Sequence, residues 1–185
     1  MHRLSAMLLM AVLAGPAMAD EAAWDALAEP GTAALMRHAT APGIGDPPGF
    51  RLGDCATQRN IDASGRAEAE AFGNALREHG IRVDRVLTSR WCRARDTARA
   101  LDAAPVEDVP ALDSFFADRS SEPEQTAAVR ALLAEAAPAE KLILVTHQVN
   151  ITALTGRGAA SGEAIVVEPT PGGLIVRGRI RPPRI

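Results

Sequence analysis

Two short apolar runs, Ala33-Ala34-Leu35-Met36 and Leu142-Ile143-Leu144-Val145, each lead at once to a histidine, through Arg37-His38 and Thr146-His147. Runs of that length, rich in branched residues in the second case, suit buried strands. In open α/β sheets the ligand crevice lies beyond the carboxyl ends of the strands, so both imidazoles are expected at one pocket. Arg37 precedes the first histidine, and Arg90, Arg93 and Arg95 follow a third apolar run at 83–87. Guanidinium groups in that number suit an anion, and phosphate is the natural one.

The rest of the chain alternates strand and helix patterns. Residues 32–36, 83–87 and 141–145 read as strands, with a further extended piece at 105–112. Helices are expected at 21–27, at 64–79 with Ser64 as cap and Gly80 as stop, and at 91–101. Two more are expected, one opening at a Ser121/Glu124 capping box and ending near 138, and one at 149–154 closed by Gly156. Strands at 164–167 and 174–180 are joined by a turn. The alternation gives a single α/β domain, three layers with a mainly parallel sheet. Residues 39–63 are rich in Gly and Pro, and so long a loop in a compact domain is more often functional than idle.

Residues 1–19 have a basic start, a short apolar stretch and an Ala17-Met18-Ala19 cleavage pattern, the marks of a secretory signal. The mature chain, residues 20–185, is then expected in the periplasm or outside the cell, with no membrane span after signal removal. A net charge of −3 argues against nucleic acid as a partner, because affinity for that polymer rests on uncompensated positive charge. The only cysteines, Cys55 and Cys92, would form one disulfide in an oxidising compartment, two buried thiols being the alternative. They lack metal-site spacing, and the arginines would repel a cation, so neither a metal nor another cofactor is expected.

Leu35-Met36-Arg37-His38, the segment from Ser89 to Ala98 and Val145-Thr146-His147 together resemble the histidine phosphatase superfamily, in its phosphoglycerate mutase-like branch. That pattern has an Arg-His-Gly triplet after the first strand, a Ser-x-x-x-Arg-Ala-x-x-Thr-Ala segment opening a helix, and a late histidine after a strand. The resemblance implies a phosphoglycerate mutase-like fold and a phosphatase acting through a phosphohistidine on His38. Arg37, Arg93 and His147 would surround the phosphoryl group. Asn60 would be the counterpart of a phosphate-contacting loop asparagine, with a turn role as the alternative, and Arg59 would add charge. Arg90 and Arg95 have no family role by position and are read as structural or rim residues. Two departures stand out: Ala39 replaces the usual glycine, which requires a negative φ there, and Gln148 stands where glycine is frequent.

A leaving alkoxide needs a proton, and the resemblance implies a carboxylic acid after the arginine helix. Asp113 is the first choice and Glu163 the competitor, with Asp118 and Glu122 able to serve if their loop covers the pocket. Without such an acid, phosphoanhydrides or phosphoramidates would be favoured. The expected substrate is a phosphorylated small molecule, glycan or protein. A phosphomutase and a noncatalytic phosphate-binding or phosphoglycan-binding module are the rival readings.

Overall fold

The computed structural model describes residues 16–182. Its elements are α1 (Pro16–Ala28), β1 (Ala33–Arg37), α2 (Ala63–Glu78), β2 (Arg85–Thr88), α3 (Cys92–Ala100), β3 (Val106–Asp108), α4 (Glu122–Glu135), β4 (Leu142–Thr146), α5 (Gln148–Thr155), β5 (Ala164–Thr170) and β6 (Gly173–Ile180). Most of the expected signal segment, residues 1–15, lies outside the described residues. The first described helix starts within that segment, at Pro16, and runs through the expected cleavage point.

The strands form one sheet in the order β3-β2-β4-β1-β5-β6. Pairings β3–β2, β2–β4 and β4–β1 are parallel, as expected, but β1–β5 and β5–β6 are antiparallel, so the sheet is mixed. The reason at β5–β6 is local: a connection this short can only reverse the chain.

Successive strand residues face opposite layers. Ala34, Met36, Ile143 and Val145 pack with Trp24, Phe72, Leu76 and Leu101 from the side of α1, α2 and α3. Ala33, Leu35, Leu142 and Leu144 pack with Val129, Leu133, Ile151 and Leu154 of α4 and α5. Burial on both faces explains why the central strands read as unbroken apolar runs. Three layers result, with the sheet in the middle.

Some helix ends differ from the sequence expectation. The cap of α2 is Asp62, whose side chain accepts from Gly65 N at 2.8 Å, and Ser64 lies inside the first turn. The Ser121/Glu124 box does not form, because a 3-10 turn at Arg119–Ser121 already brings the chain in with helical backbone and Ser121 Oγ bonds Gln125 instead. Helix α5 ends as expected on a left-handed Gly156 (φ 68°).

Candidate active site

Strands β2, β4 and β1 lie side by side and end at nearly the same height. Thr88 is in register with Val145, and Thr146 with Arg37. The next residue of each strand, Ser89, His147 and His38, is therefore delivered to the same edge. Backbone bonds continue the ladder there, with His38 N donating to Thr146 O and Ser89 N to Val145 O, both at 3.0 Å. The two imidazoles meet edge to face, with ring centres 5.4 Å apart.

His38 is buried, and its Nδ1 lies 2.9 Å from Ala39 O. A carbonyl only accepts, so Nδ1 carries the proton and Nε2 presents a lone pair. That lone pair accepts a hydrogen bond from Arg93 Nε at 3.3 Å on the cavity floor. Burial first, then the Arg93, Arg37 and Arg59 charges, against the opposing Ala39 bond, push its pKa down to about 3. At ordinary pH the imidazole is therefore neutral, the form in which a histidine can act as a nucleophile. Ala39 is not among the residues with positive φ, so a side chain fits at this position without strain.

Arg93 lies in the first turn of α3 with its side chain 4% exposed, and its Nη1 donates to Asp46 Oδ1 at 2.7 Å. Arg37 donates from Nη1 to Ala159 O and Gln148 Oε1, and its Nε is buried without a partner. Gln148 thus has work that glycine could not do. Arg59 bonds the carbonyls of Gly45 and Ala41. Burial lowers the pKa of all three guanidiniums, with Arg59 adding to the effect on Arg37 and Asp46 opposing it on Arg59 and Arg93. Such groups nonetheless remain charged.

His147 Nε2 lies 2.8 Å from Ser89 Oγ, while its Nδ1 is buried without a partner. Burial first, then the neighbouring His38 and the three guanidiniums, lower its pKa well below the ordinary value. Arg37, His38, Arg59, Arg93 and His147 all line one cavity of about 530 Å³. Among these residues, Arg37 Nε–H, a donor, and His147 Nδ1 are buried without a partner.

Other expected residues have different jobs. Asp113 does not line the cavity. Its Oδ1 accepts from Arg90 N and Ser89 Oγ, and its Oδ2 from Arg90 Nε and Nη2. With both oxygens occupied, it anchors Ser89, and through it His147, rather than facing a leaving group. Glu163 is equally committed, to Ala160 N and Arg179. Glu122 pairs with Arg119 away from this cavity, whereas Asp118 lines it. Asn60 is also outside it: its Nδ2 donates to Cys55 O, the turn role. Arg90 and Arg95 pair with Asp113 and Asp108, which makes both structural.

Asp46 is a site residue that sequence reasoning missed. It accepts from Arg93, from Trp91 Nε1 at 3.0 Å and from Arg59 N. Burial raises its pKa, but the Arg93 charge and these bonds outweigh that and hold it below the ordinary value. Gly45-Asp46-Pro47 carries only turn chemistry as a sequence, with nothing to point at Arg93. The loop bearing it is tied down by the Cys55–Cys92 disulfide, with Cα atoms 5.6 Å apart, one residue before Arg93.

The family model for the histidine phosphatase superfamily (branch 1) matches residues 34–117. No curated protein matches the chain. Among solved structures, a proposed phosphohistidine phosphatase, SixA, from Agrobacterium tumefaciens is 19% identical with a TM-score of 0.59, covering 83% of this chain and 99% of that one. The protein histidine phosphatase SixA complexed with tungstate is 18% identical (TM-score 0.58; 82% and 97% covered). A mycobacterial glucosyl-3-phosphoglycerate phosphatase is 17% identical (TM-score 0.51; 74% and 89% covered). At these identities the likeness is one of fold. Residues 34–117 match that family's model and the fold is shared with these phosphatases, so the chain is similar to the histidine phosphatase superfamily.

Proposed function

We propose that this protein is an exported phosphatase that needs no metal and works through a phosphohistidine on His38. One observation carries the reading: a neutral imidazole, its tautomer set by Ala39 O, aims Nε2 into a cavity ringed by Arg37, Arg59, Arg93 and His147. Nε2 attacks phosphorus as the bond to the leaving oxygen breaks, giving a phosphoimidazolium. Water then attacks phosphorus, the N–P electron pair returns to Nε2, and the water's two protons leave with phosphate as H₂PO₄⁻. Charge on the equatorial oxygens falls on the guanidiniums and His147, which are held in place before the reaction begins.

The leaving group has no strong proton donor in this cavity. Asp46 is held ionised by Arg93, and the Ser120 backbone N–H lowers the pKa of Asp118. Aryl phosphates, phosphoanhydrides and phosphoramidates are thus favoured over alkyl esters. Export is supported by the sequence pattern of residues 1–19 and by the disulfide, a bond that persists outside the reducing cytoplasm.

Rapid quench into alkaline SDS after mixing with a ³²P-labelled aryl phosphate tests this reading. Label should remain on wild-type protein in an acid-labile, base-stable form and be absent from His38→Ala. Turnover without any label on His38 would overturn it.

A further inference from the structure

The cavity is much larger than a phosphoryl group needs. At about 530 Å³ it falls within the range of sites that enclose a whole small ligand, roughly 300–1,000 Å³. Its floor is cationic, but its outer walls are not. Ile44, Phe50, Trp91, Phe116 and Val149 line them, and the Phe50 and Trp91 rings pack with centres 5.6 Å apart.

Two of these side chains are held open to solvent. Ile44 is 93% exposed and Phe116 62%, and both are among the four large exposed apolar residues of the described chain. They belong to different loops, and both line the cavity. Ile44 is carried between Gly43 (φ 91°) and Gly45 (φ 69°), a backbone path that places its side chain outward.

The polar side chains on the same walls each have a partner, although Gln148 Nε2 and the Ser114 O–H have none. Ser114 Oγ accepts from Phe116 N, Asp118 from Ser120 N, Ser121 Oγ bonds Gln125, and Gln148 Oε1 accepts from Arg37 and Ala159 N. A sugar or other hydroxyl-rich group would meet mainly apolar surface there, against which its hydroxyls gain no partners. An apolar group loses nothing and buries its surface.

We propose that the site takes a small amphiphile, a phosphoryl group borne on an apolar aryl group, such as an alkylated phenol, whose apolar part lies against Ile44 and Phe116, with alkyl chains serving in the test only as a ruler of that apolar wall. The assignment rests on the anion-binding floor of the function proposed above, but not on turnover.

Non-hydrolysable alkylphosphonates from methyl to hexyl, titrated into the intact protein by calorimetry, test it directly. Each methylene buried against these walls should tighten binding two- to fourfold, so hexylphosphonate should bind at least 30-fold more tightly than methylphosphonate. The gain per methylene should fall by at least half in the Ile44→Ser/Phe116→Ser double variant. A series that is flat in chain length, or one whose slope survives that double substitution, overturns the assignment. So does a glycerol-type phosphonate binding as tightly as hexylphosphonate. The His38 trapping experiment reports separately on the chemistry, so failure of one reading is distinguishable from failure of the other.

Discussion

At the scale of single residues, Arg93 has the most consequential position, because one guanidinium touches both His38, the proposed nucleophile, and Asp46. Arg93→Ala should lower kcat on p-nitrophenyl phosphate by about 10²–10³, the loss typical of one preorganised transition-state donor. A rate within tenfold of wild type would remove Arg93 from the mechanism. Asp113 should behave differently. Because its carboxylate is buried in bonds to Arg90 and Ser89, Asp113→Ala should cost about 2 kcal/mol of stability in urea unfolding, the scale of partners left unpaired when a buried group is removed. Its kcat should also fall by the same factor on aryl and alkyl phosphates. A selective loss on alkyl phosphates would restore Asp113 as the acid. The two aspartates show what a sequence conceals: Asp113 stood in the expected place and faces Arg90, whereas Asp46 lay in an unpatterned loop and faces Arg93.

Among the elements, α2 and α3 are joined closely by the absence of a side chain. A Cβ on Gly73 would lie 1.9 Å from Leu101 O, a backbone atom that cannot turn aside. Gly73→Ala should destabilise the domain by at least about 1–3 kcal/mol through forced separation of these helices, measured by urea unfolding. An unchanged midpoint would show that the helices yield without cost. The loop bearing Arg59 depends on its disulfide, which spans 37 residues of sequence. Reduction should cost about 2–4 kcal/mol by freeing that loop in the unfolded chain. It should also raise KM more than it lowers kcat, because Arg59 is placed by the loop while His38 and His147 are placed by strands. Equal effects on both would mean that the bridge braces the strand ends too.

For the molecule as a whole, burying two neutral imidazoles beside three guanidiniums makes stability sensitive to acid. An unfolded histidine takes up a proton near pH 6.5, but folded His38 does so only near 3, and His147 is lowered in the same direction. In that interval the unfolded state binds more protons, so stability is full above pH 6.5 and falls as the pH drops. The slope is about 1.4 kcal/mol per pH unit for each histidine. His38→Gln, which cannot titrate, should reduce the slope by about one proton between pH 6 and 4, read from urea midpoints across that range. Identical slopes would show that His38 titrates normally when folded.

The central strands and the residues at their ends were legible from the chain alone, because a strand covered on both faces must be apolar throughout and must stop where a polar group is needed. Arg37, His38 and His147 stand at or next to those strand ends, whereas Arg93 lies in the first turn of α3 and was picked out by the resemblance of its segment. The antiparallel edge was not, since pairing direction at β5 depends on where the preceding loop leaves the chain. Nor were the carboxylate partners, because an aspartate's role is set by which cation lies within about 3 Å of it, a distance that only packing of remote segments decides. Asp46 beside Arg93, Asp113 beside Arg90 and the apolar mouth between Ile44 and Phe116 exist only in three dimensions.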